Sequence, residues 1–279
     1  MIVSGVYRFF PMPMQHTINN AEWPYNNILV STRHQLMFTP IAKNAHTSLK
    51  RMFVRLSGHP QSIALLQGDI HLNLTSNSTG LRLADYSIEQ AQSHLQNPDH
   101  THFTVLRNPL SRVVSGYVSK YVTLDPSATE GSVQSEIQPA IEWVYAQKGQ
   151  APNFQQSITF NEFVEYLSQA DDDELDTHFK SQSAYLRNQS ISHWFRTERL
   201  DRLTDFLQDY LGQSVTLEHL GSVQRKKTLF HRKHRDNTLP GEMRSTRATP
   251  FEHELLTPDN VEVLSKRFAE DMQRWEQCQ

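Results

Sequence analysis

Two periodicities alternate along this chain. Short apolar runs at 28–31 and 36–41, separated by a polar turn, predict strands, and so does the run at 102–106. A fourth strand fits 194–196. Between them the spacing widens to that of helices. Leu49, Met52, Phe53 and Leu56 recur at i, i+3, i+4, i+7, with Thr47 or Ser48 to cap the helix and Gly58 to stop it. A helix over 84–97 is closed by Pro98. Asn108 caps the next helix and Pro109 takes its first position. Leu110, Val113, Val114, Tyr117, Val118 and Tyr121 form its apolar stripe. Further helices fit 160–170 and 198–211. The last starts at Thr257 with Pro258 first, and turns Val261, Leu264, Phe268, Met272 and Trp275 inward.

Strands alternating with helices predict an α/β fold built on an open, mainly parallel sheet flanked by helices. The expected organisation is one domain over 1–279. Residues 1–27 are irregular, and 123–157 form a polar insertion or acceptor-side loop around a short IEWVYA helix. A basic stretch at 224–235 reads as a loop.

Composition narrows the function classes. The 37% hydrophobic content supplies a core, and 20% charged residues with net charge −3 argue against disorder and against general nucleic-acid binding. The single cysteine, Cys278, excludes intramolecular disulfides and disfavours Cys-based zinc sites. No apolar run reaches the ~18–20 residues of a membrane span, and the N-terminus lacks a signal-peptide pattern. A cytoplasmic location is the expectation.

Candidate chemistry concentrates in two strand-to-helix junctions. In IAKNAHTSLK, residues 41–50, the free N–H groups and dipole of a helix start meet Thr47, Ser48 and the Lys43 cation, an arrangement suited to phosphate. The glycines of GxxxxGK[ST] are missing, so an ATP-type Walker loop is not indicated. In LRNPLSRVVSGY, residues 106–117, Arg107 ends a strand and Ser115 lies about two turns into the helix. A fork and a hydroxyl so placed can grip one phosphate from two sides.

These segments resemble the donor motifs of the Golgi carbohydrate sulfotransferases of the chondroitin, dermatan and HNK type. The first is close to that family's IPKNACTSWK, departing at Ala42, His46 and Leu49. The second matches RxPxxRxxS at Arg107, Pro109, Arg112 and Ser115. DTHFKSQ, residues 176–182, resembles DxHWxPQ with Phe179 for Trp and Ser181 for Pro.

The resemblance implies the P-loop-like sulfotransferase fold. It also implies 3'-phosphoadenosine 5'-phosphosulfate (PAPS) as co-substrate and a hydroxyl acceptor, expected to be a sugar or polysaccharide. Lys43 would meet the bridging oxygen of the phosphosulfate. Asn44, Ala45, His46, Thr47 and Ser48 would wrap the 5'-phosphate, while Arg107 and Ser115 would take the 3'-phosphate. Arg225, Lys226 and Lys227 are candidates in a loop over the adenine, and the last helix is read as packing.

Sulfuryl transfer by analogy with phosphoryl transfer asks for positioning and charge stabilisation, with no metal required. A histidine serves as base toward the acceptor hydroxyl. His71 is placed slightly ahead of His178. Two other readings remain open at this point: a non-catalytic binder of phosphorylated nucleotide or sulfated glycan on the same fold, and a P-loop kinase.

Overall fold

Four short runs rich in β-branched and aromatic residues form the sheet: β1 (Leu29–Ser31), β2 (Leu36–Thr39), β3 (Thr101–Leu106) and β4 (His193–Arg196). The computed structural model describes residues 18–76, 78–124, 132–218, 234–247 and 249–278. Strand order is β1-β2-β3-β4. β2, β3 and β4 are parallel, with Phe38 opposite Phe103 and Val105 opposite Phe195. β1 pairs antiparallel with β2 and closes one edge. This is the mainly parallel α/β architecture expected from the alternation of periods.

The crossover from β2 to β3 carries α1 (His46–Leu56), α2 (Ser62–Leu65), α3 (Ile70–Ser76) and α4 (Ile88–Gln96). Between β3 and β4 lie α5 (Pro109–Tyr117), a π-helical turn (Val118–Val122), α6 (Ser132–Gln147), α7 (Phe160–Gln169) and α8 (Gln182–Tyr185). After β4 come α9 (Leu200–Leu211), α10 (Pro240–Ser245), α11 (Glu252–Leu255), α12 (Pro258–Arg267) and α13 (Ala269–Gln277).

Side chains alternate across the strands and bury both faces. Leu36, Phe38, Phe103, Val105 and Phe195 pack with Leu49, Met52 and Phe53 of α1 and with Leu203 and Leu207 of α9. Met37 and Val30 meet Leu83 and Ala91 on the other side. The largest cluster surrounds α5: Val113, Val114, Tyr117 and Tyr121 pack against Ile137, Ile141, Phe160, Phe163, Leu264 and Phe268. Each such side chain contributes about 1.5–3 kcal/mol over its exposed state. The helix that follows β3 is therefore held firmly, and with it the turn at its start.

Four local expectations are corrected. Thr47 and Ser48 do not cap α1; Ala45, left-handed at φ 54°, occupies the cap and both hydroxyl residues lie in the first turn. The helix expected over 84–97 breaks at Ser87, which forms a capping box with Gln90 and starts α4 afresh. Within 123–157 the short helix expected at IEWVYA is longer and runs from Ser132 to Gln147 as α6. Pro139 lies inside the 16-residue α6 and hid its first half, because an interior proline usually ends a helix. The final helix divides at Phe268 into α12 and α13. Residues 219–233, with Arg225, Lys226 and Lys227, lie outside the described residues.

Candidate active site

β2 and β3 run parallel, so both leave the sheet at the same edge, where an open α/β sheet places its ligands. The chain leaving β2 makes a tight turn, with Asn44 N–H donating to the Ile41 carbonyl at 3.2 Å. Lys43 (φ 70°) and Ala45 (φ 54°) are both left-handed, a conformation costing about 1–2 kcal/mol in non-glycine residues. Two strained residues thus take the backbone conformation that glycines supply in glycine-rich turns.

Arg107, at the exit of β3, reaches into this turn: its guanidinium donates to the Lys43 carbonyl at 3.0 Å. Fully buried Arg112 donates Nε to the Ala42 carbonyl at 2.9 Å and its terminal nitrogens to the Lys180 (2.7 Å) and Thr177 (3.3 Å) carbonyls. Ser115 lies half-buried on α5.

The Asn44 side chain turns inward, donating to the Val105 carbonyl at 2.9 Å and to Gln182 Oε1 at 2.6 Å. Gln182 also accepts from Arg107 N–H at 3.0 Å and donates to the Arg107 carbonyl at 2.9 Å. One buried amide therefore ties both junctions together. Gln182 and Ser183 are fixed in turn by buried Asp271 of α13, which accepts from both backbone N–H groups at 2.6 and 2.7 Å. The last helix does more than pack.

The three histidines differ in their surroundings. Asp69 anchors the start of α3 by accepting from the His71 backbone N–H at 2.8 Å. The His71 ring faces Thr47 Oγ1 through Nε2 (3.0 Å) and Lys50 Nζ through Nδ1 (3.3 Å). Burial and Lys50 lower its pKa to about 4 against the pull of Asp69. The His46 ring lies 4.6 Å from it, and burial, His71 and Lys50 push His46 well below the ordinary histidine range.

His178 is arranged otherwise. Asp176 Oδ1 accepts from its backbone N–H at 2.9 Å and from Nδ1 at 2.6 Å. Burial raises the Asp176 pKa, but the hydrogen bonds from His178 outweigh it and hold the carboxyl below its usual value. With an ionised acceptor beside it, Nδ1 is the donor to Asp176, which leaves Nε2 as the ring nitrogen available to a second group.

Two contributors were missed in the sequence. The π-helical turn after α5 presents Lys120, which pairs with Glu136 of α6. Ligand-type atoms of Glu136, Asp176 and His178 lie within 4.8 Å of one another, the one trio among the described residues with metal-ligand chemistry. Lys120 and Asp176 already satisfy the Glu136 carboxylate and the His178 Nδ1, which suits acid–base work better than metal capture. Burial, then Lys120, Arg107 and Arg112, lower Lys43 to about 8, with Glu136 opposing. Cations thus crowd this edge, and an anion placed among them would relieve the strain on Lys43. Lys120 lies on the helix that the sequence predicts through Tyr121, which marks its element but not its role; Glu136 had no signal, because the first half of its helix was read as loop.

Among relatives, human carbohydrate sulfotransferase 10 is 24% identical over 198 residues, covering 71% of this chain and 51% of that protein. Carbohydrate sulfotransferase 10 of Xenopus laevis is likewise 24% identical over 198 residues, 71% of this chain and 52% of the relative. Human carbohydrate sulfotransferase 14 is 28% identical over 153 residues, or 55% and 37% of the two chains. The chain spans about half the length of the first of these. No solved structure matches it significantly. A family model described as the sulfotransferase family matches residues 26–276, from just before β1 to the end of α13, and so takes in every element of this site. The chain belongs to the sulfotransferase family.

Proposed function

We propose that this protein transfers the sulfuryl group of PAPS to a hydroxyl of a carbohydrate acceptor. The observation that carries the reading is the closure of Arg107 on the Lys43 carbonyl, which makes one cationic cradle from two strand exits. The donor fits the residues present: it is polyanionic, and the cradle concentrates Lys43, Arg107 and the start of α1 where burial and cationic neighbours outweigh the pull of Glu136 on Lys43. The names of the relatives support a sugar acceptor.

When bound, PAPS supplies an activated sulfuryl group whose bond to the 5'-phosphate breaks as the bond to the acceptor oxygen forms. Lys43 neutralises the charge growing on the leaving phosphate oxygen. His178 Nε2 takes the acceptor proton, and Asp176 orients the ring and balances the imidazolium. Lys120 adds a cation beside Glu136 near the same group. This reading moves the base from His71 to His178. Both ring nitrogens of His71 face partners inside the fold, and a group with a pKa of about 4 is a weak base near neutrality.

The test combines calorimetry with adenosine 3',5'-bisphosphate and transfer of labelled sulfate from PAPS to desulfated polysaccharides. Lys43→Ala should cut turnover by about 10²-fold or more while bisphosphate affinity falls by about tenfold at most. His178→Asn should lower kcat by about 10²- to 10⁴-fold with affinity unchanged. Absence of bisphosphate uptake by the unaltered protein would overturn the assignment.

A further inference from the structure

Lys50 is a buried cation, 7% exposed, one turn below the start of α1. Its Nζ lies 3.3 Å from His71 Nδ1, and His71 Nε2 lies 3.0 Å from Thr47 Oγ1. We propose that His71 is a positioning residue: it couples Lys50 to Thr47 and fixes the Thr47 hydroxyl as a hydrogen-bond donor to the 5'-phosphate group of the nucleotide. The role rests on the donor site proposed above, and it assigns work to a histidine that the proton transfer leaves unused.

An ammonium has three donors and no acceptor, so the imidazole nitrogen facing Lys50 must present its lone pair. A neutral ring then carries its proton on Nε2 and donates it to Thr47 Oγ1. Burial and Lys50 keep the ring neutral. Threonine has a single hydroxyl proton, and an oxygen that accepts from the ring turns that proton away from it. Thr47 is the second residue of α1, so its hydroxyl sits at the helix start, where the first-turn N–H groups point out of the helix. Its Oγ1 has no other hydrogen-bond partner among the described residues. The opposite tautomer would set Nδ1–H against the ammonium and spend the Thr47 proton on the ring. The central member is held in place: Asp69 accepts from the His71 backbone N–H at 2.8 Å, and the His46 ring covers the His71 ring at 4.6 Å.

Two measurements decide it. In ¹⁵N NMR of the imidazole near pH 7, His71 should show a protonated Nε2 and a bare Nδ1; the reverse tautomer overturns the role. In calorimetry with adenosine 3',5'-bisphosphate, Thr47→Val and His71→Asn should each weaken binding by about tenfold. His71→Gln, whose longer amide can still donate to Thr47, should stay within about threefold of the unaltered protein. The double variant Thr47→Val/His71→Asn should bind no worse than Thr47→Val alone, because the two act through one hydroxyl. Additive losses, unaltered binding by His71→Asn, or a kcat loss in His71→Asn at constant affinity would each refute it. Thermal melts of the unliganded variants separate an affinity change from a folding defect. If the unaltered protein takes up no bisphosphate, the donor site itself fails and this role with it. If it binds and only the His71 variants behave as the unaltered protein does, the coupling alone fails.

Discussion

Asp176 accepts two hydrogen bonds from a single residue, the backbone and the ring of His178, so it sets both the position and the tautomer of that imidazole. Asparagine at this site keeps an acceptor oxygen and loses the charge that balances an imidazolium. Asp176→Asn should therefore lower kcat by on the order of 10- to 100-fold and leave bisphosphate affinity within about twofold. Steady-state kinetics beside calorimetry read the two separately, and an equal loss in both would mean the carboxylate only shapes the site. Lys43 and Arg107 were legible in the sequence because charge at a strand exit before a helix has a direct physical meaning. The left-handed backbone at Lys43 and Ala45 was not, since neither residue type advertises a positive φ as glycine does.

At the level of elements, α8 is only one turn long yet it carries the link between the two junctions. Gln182 accepts from the Asn44 amide and pairs with both backbone groups of Arg107. An apolar side chain of similar size removes its hydrogen bonds to the Arg107 N–H and C=O and to the Asn44 amide, each worth about 0.5–1.5 kcal/mol. Gln182→Met should lower the melting temperature by several degrees and weaken bisphosphate binding about tenfold or more; unchanged melting would show that water replaces the amide.

The strands and the long amphipathic helices α1, α5 and α9 were readable from periodicity, because one stripe of each faces the core. Long-range ties were not. Gln182 meets Arg107 across 75 positions and Asn44 across 138, and no local pattern records such a pairing. The first half of α6 was hidden for a different reason: Pro139 is tolerated there on an exposed surface.

Across the whole molecule, the net charge is −3 while the candidate site gathers cations, so attraction for an anionic donor is local to one sheet edge. No described helix is long and apolar enough to cross a membrane. Stability should depend on pH through the central strand. His102 of β3 is buried against Thr39 Oγ1 at 2.8 Å, and burial lowers its pKa to about 3. The unfolded chain takes up this proton near pH 6.5 and the folded one does not. The contribution is thus complete above about pH 6.5 and drains as pH falls toward 3, by on the order of 1 kcal/mol per pH unit. His71, with its pKa lowered to about 4, acts in the same sense but is partly solvated. Urea midpoints should drop between about pH 7.5 and about pH 5; a level profile would show that His102 is protonated in the native state.

The carboxylate of Asp271 reaches back 89 positions to seat Gln182. During synthesis, both strand-to-helix junctions emerge long before that carboxylate does. A nascent chain therefore displays both strand exits while the brace that aligns them is still being translated, and the proposed nucleotide site is complete only once α13 has formed.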